Sequence, residues 1–155
     1  MTATGTHRIQ APTRNPPLTR SGSERTLIAL EAVTGATALA GGALLMLAPD
    51  GSLLMADSAV LDGTAFENWL LPGAALALFV GLGFAVTAVW QWRRGPYARL
   101  LSLAAGVGLV LFEIVQFSLI GFHPLQLVFG IVGLVTAVLA WRLPAARHGT
   151  AGGAR

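Results

Sequence analysis

The sequence predicts an all-α integral membrane bundle of four transmembrane helices, and three observations lead there. The 155 residues are 54% hydrophobic and 11% charged, with a mean hydropathy of +0.68; a soluble domain carries about 25% charged residues. Four apolar stretches approach or exceed the ~20 residues that cross a bilayer as a helix. All ten cationic side chains are arginines, and they gather in alternate connections. The chain has no cysteine, which excludes disulfide redox chemistry, iron–sulfur ligation and thiolate zinc sites.

Residues 1–22 form a polar tail with Pro12, Pro16, Pro17, Arg8, Arg14 and Arg20. Such a stretch buries too little apolar area to offset its ordering entropy, so it is expected to be a disordered cytoplasmic tail. Ser21 to Glu24 fits a capping box. The four-helix domain spans residues 23–142, and its first helix is predicted over about 25–47, with Glu31 as its charge. Ala38-Leu-Ala40 before Gly41 resembles a signal-peptidase site, but Glu31 in the middle of the apolar run argues against cleavage.

Pro49-Asp-Gly51 is turn chemistry. Ser52 to Leu61 is too short to span a membrane. Leu53, Leu54, Val60 and Leu61 share one side of a helical wheel, so a short amphipathic helix in the first outer loop is expected, with a re-entrant lid as the alternative. Thr64 to Glu67 is a second capping-box pattern, which places the second helix at about 65–92 and makes Glu67 and Asn68 helix caps. Pro72 falls in its first turns, where a missing amide is tolerated. Gly73, Ala77, Gly81 and Ala85 recur every four residues. That stripe lets a helix approach closely, either within the chain or from a second copy or another membrane protein.

A basic connection, Arg93 to Arg99, precedes the third helix at about 98–120. A tight turn through His123 and Pro124 leads to the fourth at about 125–141. Residues 143–155 are another basic, Gly/Ala-rich tail, expected to be disordered.

Arginine-rich flanks stay cytoplasmic. They occur in both tails and in the second connection, whereas the first connection carries Asp50, Asp57, Asp62 and Glu67 and no arginine. Both termini are therefore expected inside, with the first and third connections outside. Trp90, Trp92, Tyr97 and Trp141 would form the inner aromatic belt and Trp69 the outer one. Trp69 and Trp90 are separated by about 32 Å at 1.5 Å per helical residue, close to the hydrocarbon thickness. Nucleic acid is not expected as a partner, because lipid headgroups account for each arginine group.

Pro49-Asp-Gly-Ser52, Leu61-x-Gly63-x-x-Phe66, Leu71-Pro-Gly73, Glu113 in the third span and Leu125-Gln126 occur in an order that resembles an uncharacterised family of small bacterial four-span membrane proteins. The similarity covers most of residues 31–141 and neither tail. It implies a multi-pass protein of the bacterial inner membrane and carries no activity.

The candidate chemistry rests on few residues. An acidic group at helix centre costs about 2.5–3.5 kcal/mol on insertion scales, and such groups usually face a bundle interior or cavity. Glu113 lies about 12 Å from the outer turn at 1.5 Å per residue, with Gln116 one turn further out and Phe117 and Ile120 continuing that face. Gln126 opens the next helix at similar depth, and His123 closes the hairpin. The sequence thus suggests a polar pocket of Glu113, Gln116, His123 and Gln126 that opens outward. It is either a proton-titrating or ligand site, or a polar contact that holds two helices in register. Glu31 is expected to pair with Arg25, Arg94 or Arg99 at the inner interface, or else to join Thr34 in an inward cavity.

One histidine without neighbouring carboxylates is a weak metal signal, so no metal and no cofactor are expected. Gly81-x-Gly83 and Gly106-x-Gly108 lie inside apolar spans without βαβ context and are not nucleotide loops. No catalytic triad order or paired catalytic carboxylates occur. Three readings of function remain. The first is a non-enzymatic accessory or structural membrane component. The second is a small proton-coupled carrier that uses Glu113, and the third a lipid- or quinone-handling protein.

Overall fold

The computed structural model describes residues 20–144, and the remaining tail residues expected to be disordered lie outside the described residues. Four long helices follow one another: α1 Gly22–Leu47, α2 Leu70–Trp92, α3 Ala98–Ile120 and α4 Pro124–Arg142. No strand occurs among the described residues. Each helix is long and apolar enough to cross a membrane. Their outward faces carry Leu78, Phe79, Leu111, Ile114, Leu127 and Val128, all more than half exposed. Apolar surface this continuous is not a surface for water.

Each helix packs on the next in the chain, and α1 also meets α4, so the bundle runs up and down and closes on itself. Close approach between α1 and α2 comes from the small-residue stripe. A β-carbon on Gly42 would lie 2.5 Å from the Gly73 carbonyl oxygen and 2.8 Å from the Ala77 nitrogen, and Gly81 abuts Leu39. The stripe of Gly73, Ala77, Gly81 and Ala85 is therefore taken up by α1 of the same chain. The α3–α4 hairpin uses the same device, with Gly106 against Gly133 and Ala137. Ala38, Val80, Phe84 and Leu109 form the apolar centre between these seams.

Residues Leu76–Leu82 of α2 are π-helical. A four-residue repeat drifts by about 40° per step around a helix of 3.6 residues per turn. The wider turns of a π segment take that drift back, which keeps Gly73, Ala77 and Gly81 directed at α1.

Three local expectations need correction. First, α2 begins at Leu70 rather than about residue 65. The Thr64 hydroxyl donates to the Leu61 carbonyl at 2.8 Å and accepts from the Phe66 amide at 3.1 Å. It therefore closes a turn instead of a capping box, and Asn68 accepts from the Leu70 amide at 3.0 Å. Secondly, Ser21 caps α1 as expected, accepting from Glu24 N at 3.2 Å, but the Glu24 carboxylate does not reach back. It pairs with Arg20 at 3.2 Å and Arg94 at 3.6 Å.

Thirdly, Ser52 to Leu61 is not one amphipathic helix. It forms two short 3-10 turns, Ser52–Leu54 and Ser58–Leu61. Left-handed backbone at Met55 and an Asp57 cap on the Ala59 amide, 2.9 Å away, separate them. The expected apolar face splits accordingly: Leu61 is buried, while Leu53, Leu54 and Met55 project outward. The loop is closed at its base by Trp69 N donating to Pro49 O at 2.8 Å. Gly51 has φ +80° and packs against Ala56 and Trp69, so this tight turn requires glycine.

At the other end of the bundle arginines and tryptophans interlock. The Arg20 guanidinium lies 4.7 Å from the Trp92 ring centroid and Arg99 lies 5.7 Å from that of Trp141. Arg99 also donates to the Ala140 and Trp141 carbonyls at 3.2 and 3.0 Å. Trp90 Nε1 donates to Pro96 O at 2.8 Å, which tightens the α2–α3 connection.

Candidate functional site

Glu113 sits on the buried stripe of α3 that also holds Ser102, Gly106 and Leu109. Its side chain is largely enclosed, and Oε2 has no hydrogen-bond partner. Gln116 and Ile120 are half-buried further along, whereas Phe117 is exposed, so the expected face continues through the first two and not through Phe117.

Gln126 and His123 come together, but with each other. Gln126 Oε1 accepts from the His123 amide at 3.0 Å, and Gln126 Nε2 donates to the Gly121 carbonyl at 3.0 Å. His123 Nδ1 in turn accepts from Leu125 N at 3.3 Å. This is a reciprocal cap on the first turn of α4. Its geometry engages both ends of the Gln126 amide in the turn. Among the described residues, no hydrogen bond joins Glu113 to Gln116, His123 or Gln126.

Glu31 departs further from expectation. Its stripe on α1, with Leu27, Ile28, Thr34, Gly35 and Ala38, faces the bundle interior. The residue is 0% exposed and neither carboxyl oxygen is hydrogen-bonded. The expected arginine partners are engaged elsewhere: Arg94 with Glu24, and Arg99 with the end of α4. Arg25 is exposed. Ser102, on the inward face of α3, is fully buried as Glu31 is on α1.

Ser102 and Thr136 were not singled out from the sequence. Both are 0% exposed, and neither hydroxyl has a partner. A signal for them existed. Ser102 stands four residues before Gly106, and Thr136 three residues after Gly133, so each shares a face with a glycine of the helix seam.

The bundle also carries an apolar groove of about 370 Å³ between α2 and α3, whose lining includes Phe79, Phe84, Gly108, Phe112 and Val115. Neither buried glutamate lines it. No protein family, curated protein or solved structure matches the chain.

Proposed function

We propose that the chain is a multi-pass protein of the bacterial plasma membrane, with both termini cytoplasmic, that acts as a non-enzymatic accessory or structural component. The observation that carries this reading is the engagement of Gln126. With its amide closed on His123 N and Gly121 O, an outward pocket around Glu113 loses its second polar wall. The orientation is supported by the Arg20, Arg94 and Arg99 collar at one end of the helices, since arginine collects at the cytoplasmic interface, while Trp92 and Trp141 mark that end as an interface. The four acidic residues of the first connection stand at the other end.

Proton flux into liposomes that contain the purified chain tests the functional part. Flux no greater than in empty liposomes is expected. Flux that disappears in Glu113→Gln would replace this reading with that of a proton-coupled carrier. Orientation is tested by Asp57→Cys in the cysteine-free chain: a membrane-impermeant maleimide should label it in intact cells.

The apolar groove favours a second reading, that of a lipid- or quinone-handling protein. A mass spectrum of the detergent extract that shows one enriched lipid or quinone species would support it.

A further inference from the structure

Three hydroxyl side chains in these helices share one kind of partner. Thr37 donates to Val33 O at 2.9 Å, Thr87 to Gly83 O at 2.7 Å, and Ser118 to Ile114 O at 3.0 Å. Each carbonyl lies four residues back on the same helix, which is how a hydroxyl satisfies itself inside an apolar segment. Ser102 and Thr136 depart from this pattern although both are fully buried.

They depart from it near the same point. Ser102 and Glu31 both lie on the inward faces of their helices and are both 0% exposed. Gly106, one turn beyond Ser102, meets Gly133 and Ala137 of α4, and Thr136 lies between those two. Its axial separation from Ser102 is therefore about 5 Å at 1.5 Å per residue. Four oxygens on the inward faces of α1, α3 and α4 are unsatisfied, both of Glu31, Ser102 Oγ and Thr136 Oγ1, and Gln91 Oε1 on the inward face of α2 is a fifth. Buried polar groups in native proteins are nearly always paired, so a group of orphans marks a place where a bound water or ion would be held.

We infer that Glu31, Ser102 and Thr136 form an occluded binding site for a dehydrated alkali-metal cation. An all-oxygen shell suits a hard cation. Charge selects the valence: one carboxylate and one monovalent ion are neutral together, and a neutral group is what an apolar bundle tolerates. No three His, Asp or Glu side chains converge among the described residues to balance a divalent ion. The neighbouring arginines do not neutralise Glu31, since Arg94 pairs with Glu24, Arg99 holds the end of α4 and Arg25 is exposed. A proton on Glu31 adds a single donor and gives the two hydroxyls no reason to leave their own helices. The site is independent of the accessory role proposed above.

Glu113 provides an internal control, because it is a second enclosed carboxyl without these companion oxygens. The full chain in detergent is treated with dicyclohexylcarbodiimide, which modifies buried carboxylic acids, in sodium, potassium or choline chloride at matched ionic strength. Modification of Glu31 and Glu113 is read separately by peptide mass spectrometry. Sodium or potassium should slow labelling of Glu31 severalfold relative to choline and leave Glu113 unchanged. Ser102→Ala, which removes one ligand and little volume, should still be labelled in choline but lose most of the protection. Equal Glu31 labelling in all three salts overturns the proposal, and so does equal protection of Glu113.

Discussion

Gly35 of α1 lies against the backbone of Ala85 in α2, so close that a β-carbon on Gly35 would sit 2.7 Å from the Ala85 nitrogen. Backbone cannot yield as a flexible side chain does. Gly35→Leu should therefore force the two helices apart and destabilise the bundle by about 1–3 kcal/mol or more. Unfolding in mixed detergent micelles measures this. Gly108, with open space around its Cα, is the control: Gly108→Ala should be neutral or stabilise by up to about 1 kcal/mol, because alanine is the better helix former.

The reciprocal cap at the α3–α4 turn predicts a specific loss. Gln126→Ala removes the acceptor of His123 N and the donor to Gly121 O. The expected cost is about 1–2 kcal/mol, typical of a lost cap. Amide hydrogen exchange should show faster exchange confined to the start of α4, with the α1–α2 seam unaffected.

Arg99 binds the start of α3 to the end of α4 through two carbonyls and a tryptophan face. Arg99→Lys keeps the charge but not the planar fork that reaches both carbonyls. Fraying of the last turn of α4 should therefore appear in Arg99→Lys nearly as strongly as in Arg99→Ala. Exchange of amides near Ala140 and Trp141 reads the difference.

In the first connection, the Ser52 hydroxyl donates to Asp50 Oδ1 at 2.8 Å and the Ser52 amide at 3.2 Å. These bonds hold the Asp50 carboxyl below its ordinary value. The folded-state value is the lower one, so the contribution to loop stability is complete above the unfolded-state value. It is lost as pH falls through the depressed folded value. An NMR titration of the Asp50 carboxyl should show Ser52→Ala moving it back up toward the ordinary range.

Four helices were legible because length and apolar content are properties of a stretch, independent of which way any side chain turns. The rotation of each helix was not legible, and the site depends on it. Helices apolar on nearly every face give no periodic signal for the inward stripe. Depth alone therefore puts Glu31 near arginines, whereas its face puts it in the bundle interior with neither carboxyl oxygen bonded. Glu113 is buried, but depth alone does not assign Gln126 to it, because the nearer His123 amide and Gly121 carbonyl engage that side chain first. The first connection misled for a related reason. A wheel drawn through Ser52 to Leu61 assumes one continuous helix, and the left-handed Met55 breaks it.

The π-helical turns of α2 make the lower half of that helix sensitive to chain length. If residues 76–82 wound as ordinary α-helix at about 100° per residue, everything after them would rotate together, because the wider π turns rotate less per residue. Phe84, Thr87 and Gln91, now inside, would swing toward the outside together. Deleting one residue within 76–82 would offset that rotation and should be tolerated, whereas inserting one should not be. In this helix the number of residues, as well as their identity, sets which side chains meet the core.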